Sequence, residues 1–128
     1  MRKLLTLSLL LLFSVDVFAE ETDDYVYLSC TCLVAGKITD NSSVMESIPC
    51  RLTPMSFIYS RKDDVAFLDD TVINGLSITR VEIIARDEFN LVELNRTTKA
   101  LERARFLDNG VIAEDYTCRN VPDYERLD

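Results

Sequence analysis

Apolar and polar residues alternate with a period of two along most of this chain, in short runs separated by polar turns. Successive side chains on a strand point to opposite faces, so this period marks half-buried strands. YVYLSCTCLV (25–34) is rich in β-branched and aromatic residues, and Gly36 follows it. MSFIYS (55–60) alternates Met55, Phe57 and Tyr59 with Ser56, Ile58 and Ser60. VAFL (65–68) comes after the four polar residues 61–64, which suit a hairpin loop. RVEIIA (80–85), FNLVEL (89–94), KALERARFL (99–107) and VIAEDYTC (111–118) continue the series.

The breaks carry turn chemistry. Asn74–Gly75 reads as a turn within DDTVING, and Asp108–Asn109–Gly110 is the strongest hairpin signal in the chain. Segment 99–107 admits a helix, since Ala, Leu, Glu and Arg are good helix formers. Its flanking turns space it like its neighbours, so a strand is the preferred reading, with Leu101, Arg103, Arg105 and Leu107 on one face. KITDNSSVMESIPC (37–50) reads as a loop with at most one helical turn. There Ser43 and Glu46 have capping-box spacing, but Pro49 pushes Ile48 toward extended backbone. Six to eight short strands at hairpin spacing predict an all-β domain, a small antiparallel barrel or sandwich. There is no internal repeat and no linker, so one domain is expected over 20–118, with a polar tail at 119–128.

The first residues change the picture of where this domain works. Arg2 and Lys3 precede an apolar run from Leu4 to Val15, and Val17 and Ala19 occupy the −3 and −1 positions of a small-residue cleavage site. This is the pattern of a secretory signal peptide, with cleavage expected after Ala19. A membrane-spanning helix needs about 20 apolar residues, and Asp16, Glu20 and Glu21 end the run early. The mature protein is expected to be periplasmic or secreted. Removing 1–19 leaves 12 basic and 21 acidic side chains, a net charge of −9. That balance disfavours nucleic acid and anionic lipid and favours a basic protein as partner.

Four cysteines, Cys30, Cys32, Cys50 and Cys118, stand in this short exported chain, an even count that reads as two disulfides. In YLSCTC (27–32), Cys30 and Cys32 are two apart on a strand and present neighbouring sulfurs on one face. They are expected to bond elsewhere, because a bridge needs a specific geometry. Two pairings remain open: 30–50 with 32–118, or 30–118 with 32–50. Either ties the first strand to the loop at Cys50 and to the end of the last strand. A thiolate metal site would show paired ligands at both ends and often histidine. The chain has no histidine, and Cys50 and Cys118 are isolated.

The missing histidine also removes every Ser–His or Cys–His nucleophile pair. With only three glycines there is no Gly-x-Ser-x-Gly elbow or phosphate-binding loop. The carboxylate pairs Asp63–Asp64, Asp69–Asp70 and Glu114–Asp115 fall at expected strand ends and turns, where they read as solvated. A calcium site from Asp63, Asp64, Asp69 and Asp70 has oxygen ligands but no EF-hand spacing. Arg80, Arg86, Arg96, Arg103 and Arg105 are expected to pair across strands with Glu82, Glu93 and Glu102. Asn41-Ser-Ser and Asn95-Arg-Thr fit the glycosylation sequon by composition alone. No catalytic residue, cofactor or metal is expected, and the ligand-binding residues stay unassigned.

LVELNRTTKALERARF (91–106), a strand running into Asn95-Arg96-Thr97-Thr98 and back, resembles the late hairpin of small uncharacterised exported bacterial β-proteins. Those carry Asn-Arg-x-Thr-Gly, with glycine where this chain has Lys99, and often close on a cysteine, as EDYTC does here. The resemblance implies an exported β-domain and carries over no activity or catalytic residue. The cysteine framework without a catalytic constellation leads to the expectation of a non-enzymatic binding or accessory role. In size and in its expected cross-links the chain is also similar to the periplasmic inhibitors of C-type lysozyme. Of their two loop motifs, Ser-Gly-x-x-Tyr is missing, since Ala35, Asn74 and Asn109 precede the three glycines. Tyr-x-x-x-Thr-Lys-Gly survives only as Thr98-Lys99-Ala100, with Leu94 in the tyrosine position. Inhibition of a hydrolase is the alternative reading.

Overall fold

The computed structural model describes residues 25–122 and Glu125. The expected signal peptide at 1–19 lies outside the described residues. Ten strands follow one another: β1 (Tyr25–Thr39), β2 (Glu46–Ile48), β3 (Met55–Ser60), β4 (Val65–Leu68), β5 (Thr71–Ile73), β6 (Gly75–Ile78), β7 (Glu82–Arg86), β8 (Asn90–Asn95), β9 (Ala100–Leu107) and β10 (Gly110–Asn120). Among the described residues there is no α-helix. Segment 99–107 is a strand as preferred, β9, which begins one residue later at Ala100. The helical turn at 43–46 is absent: the Ser42 hydroxyl instead accepts the Val44 N–H at 3.1 Å, and Glu46 starts a strand.

All pairings are antiparallel, in the order β5-β4-β3-β1-β10-β9-β8-β7-β6, with β2 added to β1 beside β3. The two outermost strands, β5 and β6, are consecutive in the chain with only Asn74 between them. A sheet whose edges are joined by one residue must curl until those edges meet. The result is a nearly closed barrel, not a sandwich. Asn74–Gly75 is therefore no turn but the point where the chain passes from one edge to the other. Glycine serves there for close approach: a Cβ on Gly75 would lie 2.5 Å from the Arg86 carbonyl oxygen on β7. The strand count exceeds six to eight because β2 and β5 have three residues each, too few to show a period.

β1 is the spine. One edge pairs with β10 over 28–39; the other pairs with β3 over 25–30 and with β2 over 35–37. The strand overruns its expected end at Val34 because Gly36 is held inside it, covered by Met45. A bulge between Cys32 and Val34 reverses the inward phase, so Leu28 and Cys30 are buried before it and Ala35 after it. The core is mostly apolar, with Leu28, Met55, Phe57, Leu94, Leu101 and Tyr116 among its largest buried side chains, and Ser60, Asn90 and Glu114 are buried with it.

The two sulfurs of YLSCTC part company. Cys30 bonds Cys118, its direct partner on β10, with Cα atoms 4.0 Å apart, and Cys32 bonds Cys50. The first bridge sews together the two strands that close the meander. The second holds the chain between β2 and β3 over the bulge. Two disulfides fit an oxidising environment. β10 runs two residues beyond Cys118, and the Val121 N–H donates to the Tyr27 carbonyl at 2.9 Å, so the tail starts later than expected.

Candidate functional site: the barrel mouth and the outer wall

The turns at 69–70, 87–89 and 108–109 lie at one end of the barrel, called here the mouth. Inward-facing positions near it are charged. On β9, Leu101, Arg103 and Arg105 share the inner face, as their spacing predicts. Arg103 does not meet the expected glutamates. Its Nε and Nη2 donate to Asn90 Oδ1 at 3.3 and 3.0 Å, and Nη1 lies 3.5 Å from Met55 Sδ. Arg105 Nη2 donates to Glu114 Oε2 at 3.4 Å. Register decides this outcome: Glu93 and Glu102 point outward, so they cannot reach side chains inside. Arg96 donates to the Thr79 carbonyl at 2.6 Å.

Arg51 lies over the mouth because its neighbour Cys50 is bonded to Cys32. Its Nη1 donates to Asp69 Oδ2 at 2.8 Å and its Nε to the Thr53 carbonyl at 3.0 Å. The bond to Asp69 is the main reason the Arg51 pKa is raised. Burial pushes the Asp69 carboxyl up, but the Ser56 N–H and the Arg51 guanidinium outweigh it, holding the group below its ordinary value. The Tyr116 phenol is pushed up, first by burial and then by the Glu114 charge, against Arg103 and Arg51.

Glu114 is 6% exposed and Tyr116 1%. Glu114 Oε1, Tyr116 OH and Arg105 Nε have no hydrogen-bond partner among the described residues and are shut off from solvent. Together with the Arg105–Glu114 ion pair they make a buried polar cluster inside the barrel. The paired carboxylates are dispersed. Asp63–Asp64 and Asp69–Asp70 occupy turns at opposite ends of β4 and do not converge. Glu114 and Asp115 sit within β10, not at a turn, with Glu114 buried and Asp115 exposed. Among the described residues no group of three or more potential ligands could hold a metal ion.

The outer wall over β1, β10, β9 and β8 is organised differently. Register lays three rows across the strands. Val34, Asp115, Glu102 and Glu93 form one; Gly36, Ala113, Ala104 and Leu91 the next; Ile38, Val111 and Phe106 the third, extended by Phe89. Phe89 is 61% exposed, Phe106 37%, and Val34 53%. The small middle row makes a floor. Glu93, Ala104, Ala113 and Asp115 help line a depression of about 130 Å³. A second, of about 460 Å³, adjoins it through Glu102, Ala113 and Asp115 and reaches Gly36 and Met45. The two form one groove running across the strands.

Asp115, Glu102 and Glu93 stand directly opposite one another on adjacent strands. None has an ion-pair partner among the described residues. Like charges in opposed positions destabilise a sheet, so this row opposes folding. The sequence pattern alone assigns Glu93 and Glu102 to arginine partners and Asp115 to a solvated turn. The signal was present in the turn lengths: a two-residue turn at Asp108–Asn109 puts Asp115 opposite Glu102. Compared with protein-family models, curated proteins and solved structures, the chain matches none.

Proposed function

We propose that this is an exported, non-enzymatic binding protein, periplasmic or secreted, that docks another protein on the outer wall of β1, β10, β9 and β8. The observation that carries the reading is the groove with exposed Phe89, Phe106 and Ile38 on one side and three opposed carboxylates on the other. Large exposed apolar groups rimmed by charge mark interaction surfaces. Inside the barrel Arg103 and Arg105 have partners in Asn90 and Glu114, whereas Glu93, Glu102 and Asp115 stand exposed on the wall with no ion-pair partner among the described residues. Export is supported by the signal-peptide pattern of residues 1–19 together with the two disulfides.

The test is a photo-crosslinking amino acid placed at Phe106 in the exported protein. A second is placed at Val72, which is exposed on β5 away from this wall. A defined adduct from position 106 and none from 72 is expected. No adduct at 106, or the same products from both positions, refutes docking on this wall. The alternative, inhibition of a basic hydrolase such as C-type lysozyme, uses the same acidic row. It predicts that excess protein slows lysozyme and that Phe106→Asp relieves the effect.

A further inference from the structure

The groove has dimensions as well as chemistry. Glu102 and Phe106 are four residues apart on β9, as are Asp115 and Val111 on β10, so the acidic and apolar rows run parallel. At the rise of a strand they are about 13 Å apart. A helix with its side chains is about 10–12 Å across. The floor between the rows is open over Ala113 on β10 and Ala104 on β9, two small side chains that let a cylinder settle close to the backbone, while Met45 covers Gly36 and closes the groove at the β1 end.

The spacing along the groove points the same way. Asp115, Glu102 and Glu93 come from neighbouring strands at one level, so successive carboxylates are spaced at about 4.8 Å. Residues three and four apart on a helix recur at about 5–6 Å on one face. Resting on the reading of this wall as a docking surface, we propose that its occupant is a basic amphipathic helix lying across the strands. Lysines or arginines at i, i+3 or i+4, and i+7 meet Glu93, Glu102 and Asp115. The adjoining apolar stripe meets Phe89, Phe106 and Val111. Charge complementarity selects this occupant over a second copy, which would bring its own carboxylate row and a like net charge against the first.

The probe is a labelled 14-residue helical peptide with lysines along one face and leucines along the next, titrated against the disulfide-bonded protein by fluorescence anisotropy. A scrambled peptide of equal composition and a glutamate-for-lysine peptide serve as comparators. The helical peptide is expected to bind with a Kd in the micromolar range, at least tenfold more tightly than either comparator. Raising salt from low to high should weaken it at least fivefold.

The triple variant Glu93→Gln, Glu102→Gln, Asp115→Asn should bind at least tenfold more weakly while melting at the same temperature or higher, because it relieves like-charge opposition. Loss of binding then cannot be loss of fold. Equal binding to the triple variant, equal binding of the scrambled peptide, or no binding at millimolar peptide overturns the helix proposal. If position 106 still gives an adduct in that case, the docking wall stands and only its occupant is wrong. If the adduct is a dimer of this chain, the occupant is a second copy and the proposal fails.

Discussion

The two ends of the barrel interior are built from the same strands and solve opposite problems. Away from the mouth, β8, β9 and β10 contribute Leu94, Leu101 and Cys118, all buried and without polar side-chain groups. Toward the mouth the same strands contribute Asn90, Arg103 and Glu114. The apolar end gains by removing hydrocarbon from water at about 25 cal/mol per Å². The ionic end desolvates charges and leaves polar atoms without a well-aligned hydrogen bond, so burial there opposes folding where the other end favours it. The difference teaches that stability is concentrated at one end. The other end carries charge that the fold tolerates, directly beneath the wall proposed to bind.

The sharpest way to break this comparison uses the disulfides, one for each region. Cys30–Cys118 spans 88 residues and is anchored in the apolar core; Cys32–Cys50 spans 18 and ties down the segment bearing Arg51. Under the loop-entropy model, removing the first costs about 4.6 kcal/mol and the second about 3 kcal/mol. Cys30→Ala with Cys118→Ala should therefore lower the urea midpoint more than Cys32→Ala with Cys50→Ala. Only the second pair should also loosen the Arg51–Asp69 contact, read as faster exchange of the Ser56 amide. A larger loss from the 32–50 pair would mean that the mouth, not the apolar end, holds the barrel closed.

A smaller effect separates packing from pairing. Leu101→Ala at the apolar end should cost about 2–5 kcal/mol, as buried leucines do. At the mouth, Arg105→Met strips Glu114 of its cation while leaving it buried, and should cost about 3 kcal/mol. Adding Glu114→Leu should recover that loss, because an apolar pair of similar volume is often as stable as a buried ion pair or more so. Denaturant melts of the single and double variants measure this directly. A double variant no better than Arg105→Met would show that the ion pair contributes net stability.

Much of this architecture was legible in alternation and turns. The strands at 55–60 and 65–68 have the expected bounds, and the two cysteines one residue apart do bond elsewhere. What escaped depends on geometry that a period cannot carry. Three-residue strands show no alternation, and the Asn74–Gly75 signal marks a close approach to Arg86 because tertiary closure overrides local turn preference. The Lys99 position illustrates the reverse. Its φ of 66° is the left-handed conformation that favours glycine, yet lysine adopts it. Asn95 Oδ1 accepts the Thr97 and Thr98 N–H groups at 2.9 Å, and Lys99 Nζ donates to the Arg96 carbonyl at 2.8 Å, so local bonds impose the turn. The acidic row was harder to see, since which glutamates oppose one another follows from register and not from either strand alone.

The smallest expected effect is one of pH, and it isolates charge at the mouth. Asp69 accepts the Ser56 N–H at 3.0 Å and the Arg51 guanidinium at 2.8 Å, and its carboxyl is held below the ordinary value despite the cost of burial. A carboxyl whose pKa is lower folded than unfolded adds stability at neutral pH, and that contribution is lost as pH falls below about 4. Asp69→Asn retains an acceptor for Ser56 but not the charge facing Arg51. The gap in urea midpoint between the parent and this variant should be widest at pH 7 and close toward pH 3. Solvent screening keeps it modest, because the side chain is 41% exposed. Acid should also speed exchange of the Ser56 amide while leaving that of Leu28, deep in the apolar end, tied to global unfolding. A gap that does not change with pH would place the contribution of Asp69 in its shape at the turn, where φ is 51°, and not in its charge.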